Sequence, residues 1–451
     1  MRLINLGILE AIMEKYDKKI WGWMFYDWAA QPYNTLLITF IFAPYFTSTV
    51  VGDPVIGQSL WGIMTAIVGV TLAVLGPIFG AISDTIGRRK PWLIIFSIFY
   101  IVGAFGIWWA IPGMYSVTWI MILFGIGMLG MEFSQIFVNS MLPQMSTKHN
   151  LGRISGNGWA LGYVGGLLSL FVVLLFLAEN KDGETMLGNP PLFNLDVKSR
   201  EGTRSVGPLT ALWYIIFMVP FFLWVPDEKI KIQTGAIFKA MRELGATIKR
   251  LPKNISFASY LVSSMFYRDA LLGIYTFGGI YASGVLGWSI IQIGIFGIIS
   301  VFAAAIFTYL GGFADKKYGP KPVIILCVLI LIIVCTLIVG TSRHQFFNAT
   351  LMEGSTLPDN LFLICGVCIG GAGGALQSAS RTMLVLQADE NRMAEAFGLY
   401  ALSGRATSWM APSLIASVTF FTQDQRLGIL PVIILFLIGL LPLIWVKTHE
   451  N

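Results

Sequence analysis

The chain reads as an all-α membrane protein, with twelve transmembrane helices in two pseudo-symmetric six-helix bundles. Three observations predict this. Of 451 residues, 56% are hydrophobic and 12% are charged, against about 25% charged in ordinary soluble domains. The apolar residues gather into runs of the roughly 20 residues that a bilayer-spanning helix needs. A polar loop pattern also occurs twice, at corresponding places in the two halves.

The runs, marked off by turn and charge signals, cover about 25–48, 58–82, 92–111, 117–141, 153–178, 208–225, 255–282, 288–310, 323–341, 359–387, 394–421 and 428–446. They are continuously apolar, without the alternation of barrel strands. An even number of spans puts both termini on one side. Most of the 30 lysines and arginines fall there, so that side is expected to be cytosolic, at the plasma (inner) membrane if the chain is prokaryotic. The same skew accounts for the net charge of +6 without a nucleic-acid partner.

The expected organisation is a cytosolic segment 1–24, a six-helix bundle 25–225, a cytosolic linker 226–254, a second bundle 255–446 and a cytosolic tail 447–451. The first segment carries Glu10, Glu14 and Asp17, which does not fit the apolar core of a signal peptide. In the linker, Ile237, Met241, Leu244, Ile248 and Leu251 recur on a helical period with Lys239, Arg242, Lys249 and Arg250 between them. That pattern predicts an amphipathic helix on the inner surface joining the halves, or a solvated linker helix. Residues 179–207, rich in glycine, proline and charge, read as an outer loop without an assigned role.

The repeated loop is Gly80-Ala81-Ile82-Ser83-Asp84-Thr85-Ile86-Gly87-Arg88-Arg89-Lys90-Pro91. It returns as Gly311-Gly312-Phe313-Ala314-Asp315-Lys316-Lys317-Tyr318-Gly319-Pro320-Lys321-Pro322, with one residue inserted before the second glycine. Glycine permits a sharp turn and close backbone approach. An aspartate at a helix C-terminus opposes the helix dipole at a cost of roughly 0.3–1 kcal/mol. Asp84 and Asp315 are therefore expected to answer to a basic side chain or to the N-terminus of a neighbouring helix. Gly80, Asp84, Gly87, Arg88, Arg89, Asp315 and Arg405 form the candidate conformational latch; an ordinary positive turn is the plainer alternative. A second trace of duplication lies within the spans, where Gln135-Ile-Phe-Val-Asn139-Ser140-Met141-Leu142 matches Gln377-Ser-Ala-Ser-Arg381-Thr382-Met383-Leu384. Spans 4 and 10 are thus equivalent helices, as in a two-lobed secondary transporter with a midplane site.

Charges at bilayer depth cost at least about 2.5–3.5 kcal/mol on insertion scales, so each one marks a functional candidate. They are Asp27 in span 1, Glu132 in span 4, Arg268 and Asp269 in span 7, Arg381 in span 10, and Glu395 and Arg405 in span 11. Asp27, Gln31 and Asn34 share one helix face, as do Glu132, Gln135 and Asn139; Gln377 and Arg381 stack one turn apart. Such faces are expected to meet in a shared water-filled cavity. Arg381 is the candidate for an anionic group of substrate, with a structural pair to Glu132 as its rival. Glu132 is the leading candidate proton carrier, because a carboxyl partly withdrawn from water takes up a proton more readily; Asp27 and Asp269 are the others. Asp27, nearer the surface, reads more as a gate. Arg268 and Asp269 form either a neutralised pair or pairs with other helices, and Glu395 is readable as a helix N-terminal charge. Trp159 and Tyr163, at i and i+4, supply an aromatic wall, with Tyr275 opposite.

The two loops resemble the loop signature of the major facilitator superfamily, found between helices 2 and 3 and, more weakly, between helices 8 and 9. In that superfamily, helices 1, 4, 7 and 10 line the cavity. Trp23-Met-Phe25-Tyr26-Asp27-Trp28-Ala29, Gly152-Arg153-Ile-Ser155-Gly156-Asn157-Gly158-Trp159-Ala160-Leu-Gly162-Tyr163, Gly373-Gly374-Ala-Leu-Gln377-Ser-Ala-Ser380-Arg381 and Phe397-Gly398-Leu399-Tyr400-Ala-Leu-Ser403-Gly404-Arg405 are similar to the vacuole-effluxer-like permeases, whose fungal members release amino acids from the vacuole. The resemblance implies a monomeric permease that moves a small polar metabolite by alternating access.

The expected function is transport of an amino acid or similar zwitterion, with a proton or cation as the expected co-substrate. Arg381 would meet the carboxylate and Glu132 or Asp269 the amine. A sugar or glycoside cation symporter is the nearer alternative, since tryptophan, tyrosine, glutamine and asparagine also suit hydroxyls. A non-transporting receptor or scaffold on a permease fold is the alternative of another class. No enzyme, metal or cofactor reading finds support. There is no nucleotide loop, and His149, His344 and His449 lie in loops or the tail. Cys327, Cys335, Cys365 and Cys368 fall in apolar runs and read as packing residues.

Overall fold

The computed structural model describes residues 17–145, 147–180, 182–227, 236–288, 290–347 and 349–447. The expected segment 1–24 up to residue 16, linker residues 228–235 and the tail from 448 lie outside the described residues, and with them Glu10, Glu14 and His449.

In the first half, α1 (Lys18–Pro32) continues through wide-turn helix at Tyr33–Phe40 and Phe46–Val50 and is followed by α2 (Pro54–Ile86). Then come α3 (Lys90–Gly106), α4 (Thr118–Ser140), α5 (Leu151–Phe176) and α6 (Val206–Trp224). A linker helix, Ala236–Arg250, leads to α7 (Ile255–Gly284), α8 (Ile290–Tyr318) and α9 (Pro320–Val339). The chain closes with α10 (Leu357–Gln387), α11 (Met393–Thr407, resuming as Met410–Thr422) and α12 (Leu430–Leu440). Between α9 and α10, β1 (Gln345–Phe346) pairs antiparallel with β2 (Ala349–Thr350).

Among the described residues, nine helices are long and apolar enough to cross a membrane: α2 to α6, α8 to α10, and α12 with its last turn. The other three expected spans fall short for local reasons. α1 is interrupted by its wide turns, α11 is broken at Ser408–Trp409, and α7 is diluted by Arg268, Asp269 and its serines. These three carry Asp27, Glu395, Arg405, Arg268 and Asp269. Much of the intramembrane charge thus lies on the helices least suited to lipid, although Arg381 and Glu132 lie on α10 and α4, which are apolar enough to span.

Within the first half α3 packs on α4, and α1 packs on α5 and α6; in the second, α10 packs on α8 and α9, and α7 on α12. Glycine lets these backbones touch, as where Gly103 meets Gly127 and Gly130 meets Tyr100. Rings fill the rest: Phe96 stacks on Phe133 and Phe137, and Tyr100 on Tyr214. Val70, Ile98, Ile216, Leu326 and Ile333 remain exposed. An apolar surface this extensive marks membrane contact, and the protein is an integral, multi-pass membrane protein.

The halves meet along two seams, α2 against α11 and α5 against α8. Both seams tighten toward the end that bears the repeated loops. There, Gly80 abuts the Ala394 backbone and Gly76 the Gly398 backbone, while Gly156 and Gly152 lie against Gly312. The second glycine of each loop pattern, Gly87 and Gly319, has φ of +74° and +80°, a conformation that suits glycine. The linker helix does not rest its whole apolar face on the protein. Ala240 and Leu244 pack on Ala81 and Ile82 of α2, whereas Ile237 and Ile248 are exposed. The loop 179–207 has internal structure of its own. Buried Glu179 accepts hydrogen bonds from the Thr203 backbone and hydroxyl and pairs with Arg200, holding the short helix Glu201–Arg204.

Candidate functional site

Toward the loop end of the interface, Arg381 of α10 reaches from the second half into the first. Its Nη1 donates to Asp27 Oδ2 of α1 at 3.0 Å and to Asn139 Oδ1 of α4 at 3.1 Å. Its Nε donates to the Ser155 hydroxyl of α5 at 2.9 Å, and its Nη2 to the Ser155 carbonyl at 2.6 Å. The guanidinium also lies 4.7 Å from the Trp23 ring centre and 5.6 Å from that of Trp159, an attraction that strengthens away from water. Arg381 is 3% exposed.

Two expectations change here. The rival pairing of Arg381 with Glu132 is absent, because Asp27 takes that place. Asp27 is also not near the surface: α1 starts at Lys18 instead of 25, which sets Asp27 more than two turns into the helix and 8% exposed. A wholly buried guanidinium with these partners is not offered to substrate in this conformation. Its hydrogen bonds join the two halves.

A second ion pair crosses the same interface. Arg405 of α11 donates to Glu132 of α4, and the two side chains remain 27% and 20% exposed. Arg405, grouped by sequence with the loop latch, stands here among the intramembrane charges, with its Cδ against Gly69 of α2. This pair is less enclosed than Asp27 and Arg381.

Arg268 and Asp269 do not bridge each other, which the divergence of adjacent helical side chains explains. Arg268 lies over the Tyr400 ring at 4.0 Å and donates to the Tyr400 carbonyl at 2.9 Å. Asp269 Oδ2 accepts the Ala411 N–H at 2.9 Å. Each residue of the pair is therefore committed to α11.

Polar and aromatic side chains stand nearby. Gln377 donates to the Tyr163 hydroxyl at 3.1 Å, and Tyr163 lies 5.9 Å from the Trp159 ring. The Tyr275 hydroxyl abuts Gly373, beside this group, yet Tyr275 is 46% exposed, which places open space against it. Gln31, Asn34 and Gln135 are all partly exposed. Asn34 belongs to the wide-turn stretch of α1, a distortion frequent at functional sites.

At the loop end, Asp84 accepts from Arg89 at 3.1 Å and from the N–H groups of Ala394 and Glu395 at 3.1 and 2.8 Å. It meets both kinds of partner expected of it, a basic side chain and a helix N-terminus. Arg88 is exposed, and no contact joins it to α11 among the described residues. Glu395 is more than a solvated helix-end charge, being 2% exposed and paired with Arg392 at 3.4 Å. Arg392 also binds Glu243 of the linker helix at 2.8 Å, so the linker straps α2 to α11. Asp315 lies against Gly152 at the start of α5. It is 4% exposed, and its Oδ2 has no partner. Sequence reasoning assigned no site role to the partners Trp23 and Ser155, although both lie in the stretches that carry the family resemblance and Trp23 stands one helical turn before Asp27.

Two helical bundles joined by glycine seams and by charge pairs crossing between them define a transporter of the major facilitator superfamily. Solved members share the fold. The E. coli fucose:proton symporter FucP aligns with a TM-score of 0.64 at 12% identity, over 96% of this chain and 98% of that one. A bacterial homologue of the iron transporter ferroportin, in an outward-facing state, aligns with a TM-score of 0.67 at 15% identity, over 95% and 98%. Within that class, the chain belongs to the vacuole effluxer Atg22-like family, whose profile matches residues 48–451. An uncharacterized MFS-type transporter of Bacillus subtilis (strain 168), YxiO, is 24% identical over 98% of this chain and 97% of its own. Autophagy-related protein 22-1 of Penicillium rubens is 22% identical over 59% of this chain, which spans under half of that longer protein (44%). This membership sets the protein among transporters and not enzymes.

Proposed function

We propose that the protein carries an amino acid or a similar small zwitterion across the plasma (inner) membrane by alternating access, with the repeated loops on the cytosolic side. The observation that carries this reading is the pair Glu132–Arg405, which spans the two halves and remains partly exposed. A zwitterion satisfies both members by exchange, its carboxylate taking Arg405 and its ammonium taking Glu132, with little net change in charge pairing. Gln31, Asn34, Gln135 and Gln377 supply neutral hydrogen-bonding groups, and Trp159, Tyr163 and Tyr275 supply apolar walls. Arg268 is the second cation within reach of an anionic group. Arg381, first read as the carboxylate receptor, instead clamps the loop end shut with Asp27 and is released when that end opens.

The test is thermal stabilisation of the purified protein by a panel of amino acids, betaines, sugars, peptides and carboxylates, since a ligand of the folded state raises stability by mass action. A zwitterionic hit abolished by Arg405→Ala supports the reading; a zwitterionic hit untouched by Arg405→Ala and Glu132→Gln refutes the assigned roles. The amide and tyrosine groups at Tyr163 and Gln377 favour one second reading, a sugar symporter. In that case uncharged sugars stabilise the protein and amino acids do not.

A further inference from the structure

Asp269 is a buried carboxylate that the exchange at Glu132 and Arg405 leaves unused. It is 2% exposed on α7. Oδ2 accepts the Ala411 N–H, while Oδ1 has no hydrogen-bond partner. The neighbouring cation does not neutralise it, for Arg268 is held on Tyr400. The charged groups on the helices packed against α7 are also committed elsewhere. On α10, Arg381 binds Asp27 and Asp359 binds Arg343. On α11, Arg405 binds Glu132 and Glu395 binds Arg392. On α8, Asp315 lies with Lys316 and Lys317 at the loop end, and α12 contributes no charge. Of the other titratable groups nearby, Tyr267 hydrogen-bonds Ser380 and Tyr260 donates to the Ser380 carbonyl; Cys365 and Cys368 are uncharged thiols on α10.

An interior carboxylate with one bare oxygen is costly to keep charged and is open to a proton or a metal cation. The positive end of the helix Met410–Thr422 on Oδ2 favours the charged form in this conformation, and among the described residues no further oxygen ligand converges on Oδ1 to hold a metal. A proton fits: the carboxylate is charged while Oδ2 holds Ala411 in this conformation, and an O–H bond forms on Oδ1 when the proton arrives.

The position of Asp269 gives that proton leverage. α11 is broken at Ser408–Trp409. Its first segment is bound to the other half, through Ala394 on Gly80, Gly398 on Gly76 and Arg405 on Glu132. Its second segment packs on α7 and α12 and has its N-terminus on Asp269. We propose that Asp269 is the site of the coupled proton and that its charge sets the α11 hinge. The carboxylate holds the second segment through its helix dipole. Uptake of a proton from water removes that attraction, the first segment swings off α2, and the proton leaves on the side that opens. This inference rests on the alternating-access reading above.

Spin labels at Thr85→Cys and Asn391→Cys, with Cys327, Cys335, Cys365 and Cys368 replaced by alanine, report the α2–α11 distance in nanodiscs without substrate. The expected result is a pH-dependent shift between short and long distances. Asp269→Asn should hold the low-pH distribution at every pH, while Glu132→Gln should keep the shift. An unshifted parent, a shift that survives Asp269→Asn, or one lost only in Glu132→Gln overturns the proposal. If Asp269→Asn fails to fold, Asp269→Glu replaces it; a displaced midpoint is expected, and an unchanged midpoint counts against the assignment. A purely structural cap would change stability but not this pH profile. Because no substrate is used, the outcome is separate from that of the ligand panel.

Discussion

Asp84 and Asp315 occupy the same place in the repeat, at the loop ends of α2 and α8, yet their surroundings differ. Asp84 accepts from Arg89 and from two backbone N–H groups at the start of α11, so that both its oxygens are used. Asp315 faces the start of α5 at Gly152 with one oxygen unpartnered, and no ion pair reaches it among the described residues. The α2–α11 seam is further strapped by Arg392 to Glu243 of the linker helix. The α5–α8 seam is held instead from α10, through Arg381 on Ser155 and the hydrogen bond from the Ser155 hydroxyl to the Ser378 carbonyl. Duplication has kept the position and the glycine packing but not the charge partners. One seam is latched at its rim, and the other is clamped nearer the membrane centre.

Four substitutions can break or sharpen that contrast, read as unfolding free energy in detergent. The largest loss is expected from Arg381→Ala, which strands Asp27 as an unpaired buried charge; such a change costs about 3–5 kcal/mol. Asp84→Asn removes charged hydrogen bonds worth about 1.5–3 kcal/mol each, so a measurable loss should follow, with the Arg89 contact weakened. Arg405→Ala should cost about 1 kcal/mol or less, because its pair with Glu132 is partly solvated and screened. Asp315→Asn should be near neutral, since no cation loses a partner and a bare carboxylate oxygen is no longer charged. Were Asp315→Asn as costly as Asp84→Asn, the asymmetry of the seams would be wrong.

Much of this was legible in the sequence for a physical reason. Apolar runs and charge skew mark spans because lipid leaves the backbone few alternatives, and the loop repeat locates Gly87 and Gly319 because a left-handed turn suits glycine. The search for charge at depth found the residues that cross the interface. It did not find which charge meets which. The sequence pattern matches Arg381 with substrate or Glu132 and places its partner Asp27 too near the surface, because the start of α1 at Lys18 is polar and falls outside an apolar window. The breaks in α1 and α11 do carry a sequence signal: Pro32 directly precedes the wide turn Tyr33–Phe40, and Pro412 cannot bond the carbonyl of Ser408 at the break Ser408–Trp409. Pairing across 354 positions, as between Asp27 and Arg381, leaves no local signal.

In the proposed cycle the Asp27–Arg381 clamp keeps the loop end shut. The direct measurement is labelling of Asn34→Cys by membrane-impermeant thiol reagents in right-side-out and inside-out vesicles, with and without Arg381→Ala. The account expects the single variant to react from the side opposite the repeated loops and the double variant to gain reactivity from the loop side. Reaction from the loop side with Arg381 intact, or no change on its removal, would contradict it.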